Sequence, residues 1–284
     1  MKRNRECDVV EYWRQSNPLL TSRIVNYVVK RQNKDGGYTF AQGAESNAQD
    51  TYYGLAILSS LNSPLLNVEK TASFVKETRL DTIYPIYYTA KALELLGKGI
   101  DENLKNHLIP ILKFNRFFGS INFYSEVSSE FTITYMSLEL ARMLKLKIDR
   151  KEVAGWLLSF RNIDGGFGSR GLSNINSTYY AIASLKLLDV SLKDPQETLK
   201  FVKACEKPEG GFTVIPINFT PYMEYTFYGV MTLDLVGEKS RYPRQTIDWI
   251  LSCQNGNGGF ARSDLGISSF VDTYFAVTLL LKLA

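Results

Sequence analysis

Apolar positions recur along this chain at helical rather than alternating spacing, in two kinds of segment that follow one another. The first kind mixes apolar with charged residues and reads Tyr27-Val28-Val29, Trp156-Leu157-Leu158, Phe201-Val202 and Trp249-Ile250-Leu251. The second kind is more apolar. It opens as Asp50-Thr51-Tyr52-Tyr53-Gly54, Pro85-Ile86-Tyr87-Tyr88-Thr89, Thr132-Ile133-Thr134-Tyr135-Met136, Ser177-Thr178-Tyr179-Tyr180-Ala181, Tyr225-Thr226-Phe227-Tyr228-Gly229 and Asp272-Thr273-Tyr274-Phe275-Ala276, then runs on as stretches such as Leu55-Ala56-Ile57-Leu58. Several of these segments begin with Asp, Ser or Thr, the usual N-caps. The pattern predicts helix pairs, a polar outer helix followed by an apolar inner one, with small residues after the aromatic doublet allowing helices to approach closely.

A short phrase joins the two helices of a pair: Asp35-Gly36-Gly37-Tyr38, Asp164-Gly165-Gly166-Phe167, Glu209-Gly210-Gly211-Phe212 and Asn257-Gly258-Gly259-Phe260. A helix that ends in a tight reversal needs a positive φ, which glycine adopts without penalty. The aromatic residue after the glycines is expected to plug the gap between neighbouring repeats. An aromatic residue stands ten positions before each second glycine, and weaker copies starting at Phe74 and Ile109 fill the gap, so the six starts lie 47, 35, 47, 45 and 48 residues apart. Such a period belongs to helix-pair arrays or propellers. The expected fold is therefore all-α, an (α/α)6 barrel of six helix pairs, closed where the Leu279 end meets the start of the array. The segment Asp8 to Trp13 is a candidate seal for that seam. The spacing alone serves an open solenoid equally well.

The repeats run from about residue 20 to the end without a linker, so a single domain, residues 1–284 with 1–19 as a seam segment, is expected. The net charge of +4 is spread along the chain without a dense basic run, which argues against a nucleic-acid partner. No apolar stretch reaches the ~18 residues of a membrane span, and the basic start, Met1 to Cys7, leads into no signal core. A cytoplasmic protein is expected. Cys7, Cys205 and Cys253 are widely spaced, the latter two at the ends of first helices, where cysteine serves as a small buried apolar residue. The one histidine, His107, reads as a solvated position near the end of the third outer helix. Trp13, Trp156 and Trp249 read as packing anchors, and Glu102 and Lys105 as outer-face charges.

Inward-facing second helices would carry Asp50, Glu130, Glu224 and Asp272 to one end, below a wall of Tyr52, Tyr87, Tyr88, Tyr135, Tyr179, Tyr180, Phe227, Tyr228 and Tyr274. Such a wall buries large apolar area and suits an isoprenoid chain, and clustered carboxylates can hold Mg²⁺ against a diphosphate. The structural alternative makes the tyrosines core and Asp50 and Asp272 helix caps of about 1 kcal/mol each.

The repeat register, together with Ser252-Cys253-Gln254-Asn255-Gly256-Asn257-Gly258-Gly259-Phe260 and Leu158-Ser159-Phe160-Arg161-Asn162-Ile163-Asp164-Gly165-Gly166-Phe167-Gly168, resembles the terpenoid cyclase and protein prenyltransferase α/α toroid family. The likeness covers roughly residues 20 to 284 and is strongest to the β subunit of protein geranylgeranyl transferases. That resemblance implies a zinc ion held by Asp, Cys and His, activating a thiol, and a separate helical α subunit as partner. The corresponding positions here hold Tyr222, Glu224 and Asp272, so zinc is not expected at the family site. The family's cationic diphosphate clamp maps to Pro216, Phe219 and Ile175, and no Lys or Arg occurs between Lys207 and Glu238. The Asp-x-Asp-Asp and Asp-Asp-x-x-Asp motifs of the cyclase and synthase branches are absent.

Three functions stay open at this level. The first is binding or transfer of a prenyl diphosphate in an aromatic-lined site, with Glu224 and Asp272 as candidate catalytic groups and Asp50, Tyr52, Tyr87, Glu130, Tyr135, Tyr179, Tyr222, Tyr225, Tyr228 and Tyr274 as candidate substrate contacts. The second is a lipid-binding or interaction toroid without transferase chemistry. The third is a carbohydrate-active barrel using a carboxylate pair, which needs carboxyl groups ~5 to 9.5 Å apart.

Overall fold

The computed structural model describes residue 13 and residues 15–100, 102, 104–106 and 130–283. Cys7, residues 8–12, His107 and the repeat start at Ile109 lie outside the described residues. Regular structure among the described residues is helical, as the periodicity predicts, with α1 (Pro18–Val29), α2 (Ala48–Ser60), α3 (Val68–Glu77), α4 (Ile83–Leu95), α5 (Glu130–Met143), α6 (Arg150–Leu158), α7 (Ile175–Leu187), α8 (Gln196–Cys205), α9 (Met223–Leu235), α10 (Pro243–Ser252) and α11 (Phe270–Leu283).

These helices fall into two compact units, one built from residues up to Ile100 together with those from Thr246 onward, the other from the residues between. In the first unit the second helices lie side by side in the order α11, α2, α4, with α1 and α3 packed on the outside of α2 and α4. In the second, α5, α7 and α9 form the same row, backed by α6 on α7 and α8 on α9. The amphipathic outer helices expose their charges, and the apolar helices form the inner row, as their composition requires. Glu102, exposed, and Lys105, partly exposed, form an ion pair at 2.5 Å.

The last helix pair packs on the first, which closes the end of the chain onto its start. Its turn meets α1 directly: the Arg23 guanidinium donates to the Asn255 carbonyl at 3.1 Å. A Cβ added to Gly258 would stand 2.3 Å from the Arg23 carbonyl oxygen, and one added to Gly259 would stand 2.6 Å from the Tyr27 ring. Trp13, at the expected seam, is buried.

The glycine pair has two separate reasons to be glycine. Gly36 and Gly165 take φ values of +93° and +82°, and an added Cβ would run into the backbone of the next outer helix at Lys70 and Glu197. The second glycine instead makes room for a ring, because a Cβ at Gly37 would stand 2.7 Å from Phe74 and one at Gly166 2.9 Å from Phe201. The register aromatics Phe74 and Phe201 thus seat on the glycine turn of the preceding repeat, as Tyr27 does on the last turn of the chain. Thr71 and Thr198 lock the same junction by donating to the carbonyls of Gly36 at 2.8 Å and Gly165 at 2.7 Å.

Two of the small residues after the aromatic doublet face a ring rather than a neighbouring inner helix. Gly54 and Gly229 face Tyr38 and Phe212 of their own turns, where an added Cβ would come to 3.1 Å and 2.2 Å of the ring. They seat the turn aromatic instead of bringing two inner helices together. Tyr38, Phe167, Phe212 and Phe260 are all fully buried.

Cys205 and Cys253 are buried free thiols, and burial pushes each up to about 12. At neutral pH both are protonated packing residues.

Candidate functional site

Three of the inner helices, α2, α7 and α11, begin from a side-chain-capped turn that fixes where their first residues stand. In α2 the cap is Asn47, whose side chain accepts the Asp50 N–H at 2.8 Å and donates back to the Asp50 carboxylate at 2.9 Å. In α11 the cap is Ser269, which accepts the Asp272 N–H at 2.9 Å and donates to its carboxylate at 2.5 Å. Asp50 and Asp272 are therefore third-position partners in reciprocal capping pairs, and the caps lie one turn earlier than their placement as N-caps had it. Asn174 caps α7 in the same way through the Ser177 N–H.

Asp50 is buried and also accepts the Phe40 N–H at 3.1 Å. Burial raises its carboxyl above the ordinary range, and the bonds from Asn47 and Phe40 offset part of that rise. Glu224 stands half-buried in the first turn of α9, and Glu130 is exposed at the start of α5. Acidic groups in first turns are favoured by the helix dipole whatever else they do. Glu224 and Asp272 belong to different units.

The aromatic doublets form one cluster in each unit. In the first, Tyr52 lies 5.7 Å from Tyr88 and 6.3 Å from Tyr274 between ring centroids, while Tyr87 lies 5.4 Å from Tyr88. Tyr53, which the expected wall omitted, is at the centre of this group, 5.3 Å from Tyr274 and 5.6 Å from Tyr88, with its hydroxyl 3.4 Å from that of Tyr88. Its signal in the sequence was the register itself, since it is the second residue of a doublet exactly as Tyr88, Tyr180 and Tyr228 are. In the second unit Tyr135 lies 5.6 Å from Tyr180, Tyr179 stacks on Tyr228 at 5.1 Å and 25°, and the Tyr180 and Tyr228 hydroxyls meet at 3.1 Å. Tyr222 and Tyr225 pair at 5.6 Å at the start of α9.

Tyr52, Tyr135, Tyr180 and Tyr274 are half-buried, while Tyr53, Tyr87, Tyr88, Tyr179 and Tyr228 are buried behind them. Burial, then the neighbouring Tyr180, holds the Tyr228 hydroxyl well above its ordinary value. Tyr27, also on the inner side of its helix pair, is pushed up to about 12 by burial, against the opposing pull of the Arg31 guanidinium 4.0 Å over its ring. The Tyr228 and Tyr27 hydroxyls are therefore neutral at physiological pH and not phenolate bases.

Among the described residues no group of three or more His, Cys, Asp or Glu side chains converges as a metal site would require. Tyr222, Glu224 and Asp272 supply neither the thiolate nor the imidazole that characterises zinc sites. Of the clamp positions, Ile175 is buried and donates its N–H to Val214 at 2.9 Å, while Phe219 is exposed. Lys207, the last basic residue before that stretch, donates to the Pro216 carbonyl at 2.9 Å. Asn33, Asn162 and Asn255 tie their own connections at the same repeat position, so Lys207 is accounted for by the turn.

The described helices are too short or too polar to cross a membrane. No curated protein sequence matches the chain. Among solved structures it is similar to Candida albicans protein geranylgeranyltransferase-I complexed with GGPP, with a TM-score of 0.72 at 19% identity over 92% of this chain and 90% of that one. It is also similar to the type II terpene cyclase MstE from Scytonema, with a TM-score of 0.62 at 13% identity over 93% of this chain and 97% of that one. A variant of that cyclase in complex with geranylgeranyl dihydroxybenzoate gives a TM-score of 0.63 at 12% identity, covering 99% of this chain and 98% of that one. At these identities the likeness concerns the fold. The sequence itself matches the prenyltransferase alpha-alpha toroid domain over residues 6–83, 73–240 and 218–284, and the chain belongs to that family.

Proposed function

We propose that this protein binds an isoprenoid chain against the tyrosine faces of its inner helices. The observation that carries the reading is a pair of half-buried tyrosines on each inner row, Tyr52 and Tyr274 in the first unit and Tyr135 and Tyr180 in the second, each pair clustered with further buried aromatics. A half-buried phenol offers a broad apolar face with a polar tip, the surface that a long branched hydrocarbon with a polar head needs. The geranylgeranyl compounds held by the similar transferase and cyclase structures support the same class of ligand.

Prenyl transfer is the activity this family suggests, but the residues here favour binding over transfer. Tyr222, Glu224 and Asp272 replace the thiol-activating set, and Pro216, Phe219 and Ile175 offer no positive charge to a diphosphate. The leading reading is therefore an isoprenoid-binding toroid, with a transferase that recruits a metal and a helical partner subunit as the second.

Calorimetric titration of the purified chain with geranylgeraniol and with geranylgeranyl diphosphate, each with Mg²⁺, Zn²⁺ or EDTA, tests this. Metal-independent binding of both is the expected result. Binding of the diphosphate alone, dependent on metal, would favour the transferase, and binding of neither would end the isoprenoid reading.

A further inference from the structure

Large apolar side chains stand out in solvent on the connections that lead into the inner helices. In the second unit these are Ile163, fully exposed, and Leu172 at 73%, both between α6 and α7, with Ile217 at 78% and Phe219 at 91% between α8 and α9. The two connections are tied together by the bond from the Ile175 N–H to the Val214 carbonyl, which brings the Leu172 and Ile217 segments alongside each other. The equivalent connections of the first unit carry Phe40, Leu265 and Ile267, also exposed. Elsewhere among the described residues they are scattered singly, as surfaces ordinarily show, but here they gather on the connections into the inner helices.

We propose that the α6–α7 and α8–α9 connections form a membrane-docking edge that inserts Ile163, Leu172, Ile217 and Phe219 into the interface of a zwitterionic bilayer. Three observations select a bilayer over a protein partner. The side chains project almost free of their neighbours, as insertion between lipids needs, whereas a protein interface seats its anchors in packed pockets. Charges on residues 161–174 and 206–222 are few and mixed, Arg161, Arg170 and Lys207 against Asp164 and Glu209, with Glu206 buried against Arg241 and Glu224 beyond them, so there is no strong field to steer a charged partner or to require anionic lipid. The adjoining Tyr222 and Tyr225 are half-buried and paired, the amphipathic aromatics that settle at the level of lipid headgroups.

This edge deepens the isoprenoid reading and rests on it for its purpose, because a long-chain isoprenoid partitions into lipid and the connections run straight into the first turns of α7 and α9, which carry the tyrosine row. Docking there places the ligand's source beside the helices that receive it.

The experiment is co-flotation of the full chain with phosphatidylcholine vesicles free of isoprenoid, comparing the parent with the double variant Ile217→Ser, Phe219→Ser and with Leu158→Ser, an exposed apolar change on an outer helix. The expected result is flotation of the parent and of Leu158→Ser, and at least a tenfold loss of vesicle partitioning for the double variant at unchanged thermal unfolding. Absence of parent flotation, equal flotation of the double variant, a requirement for anionic lipid, or loss of self-association instead of vesicle binding would each overturn the proposal. Titration with detergent-solubilised geranylgeraniol, run separately, distinguishes the two readings. Ligand binding without flotation overturns only the docking edge, and flotation without ligand binding overturns only the isoprenoid site.

Discussion

The Thr178 hydroxyl accepts the backbone N–H of Phe167 at 3.0 Å while donating to the Asn174 carbonyl at 2.7 Å. One side chain thereby joins the glycine turn to the first turn of the inner helix and satisfies a donor that has no access to water. Thr51, Thr226 and Thr273 do the same for Tyr38, Phe212 and Phe260. Thr178→Val, nearly isosteric, strands the Phe167 N–H and is expected to cost about 1–3 kcal/mol, with Thr178→Ser retaining most of the stability. Urea unfolding of both variants checks this; a larger loss for Thr178→Ser than for Thr178→Val would mean that the methyl group, and not the hydroxyl, matters.

Gly229 and Gly155 both sit within helices but should respond oppositely to alanine. A Cβ at Gly229 would lie 2.2 Å from the buried Phe212 ring, whereas one at Gly155 meets nothing within 4 Å. Gly229→Ala is expected to destabilise by about 1–3 kcal/mol through overpacking, and Gly155→Ala to stabilise by roughly 0.5–1 kcal/mol through helix propensity. Thermal unfolding of the pair decides it.

Asp50 supplies a pH dependence with a definite sign. Its folded-state pKa is raised by burial, so the folded protein holds the proton more tightly than the unfolded chain, and the cost of ionising it is present above the folded pKa and disappears as pH falls below the unfolded value of ~3.9. Asp50→Asn removes this titration. The stability of the variant relative to the parent should be greatest near neutral pH and decline as acid is added, measured by denaturant unfolding across that range. A difference that grows in acid would refute the assignment.

Ser269 and Asp272 act as one capping unit, so their contributions should not add. Each alanine substitution alone is expected to cost about 1 kcal/mol, and the double variant clearly less than the sum. Unfolding of the four-member cycle measures the coupling. If turnover is ever found, Asp272→Ala must be read against this loss of stability.

Tyr52 and Tyr135 test the ligand reading without emptying the core, since both are only half-buried. Replacement by alanine should weaken geranylgeraniol binding about tenfold, equivalent to ~1.4 kcal/mol, while phenylalanine at either place retains most of it. Isothermal calorimetry reads the difference, and unchanged affinity in both alanine variants would remove these residues from the site.

The helix pairs, the register and the buried cysteines were legible in the chain because each follows from local periodicity and from what a solvated or buried position accepts. Tyr27, Phe201 and the glycine pairs announce a turn ten residues on, and composition alone separates outer from inner helices. The partner of each group was not legible. That Gly37 answers to Phe74, Gly229 to Phe212 and Gly259 to Tyr27, or that Tyr53 completes a cluster with Tyr88 and Tyr274, depends on which repeats pack together. Asp50 and Asp272 looked like caps or ligands in the chain, and only the placement of Asn47 and Ser269 one turn earlier decided between N-cap and third-position partner. Local patterns are written in neighbouring residues, whereas steric fit, desolvation and shared hydrogen bonds arise between residues tens or hundreds of positions apart, and those were decided by the tertiary structure.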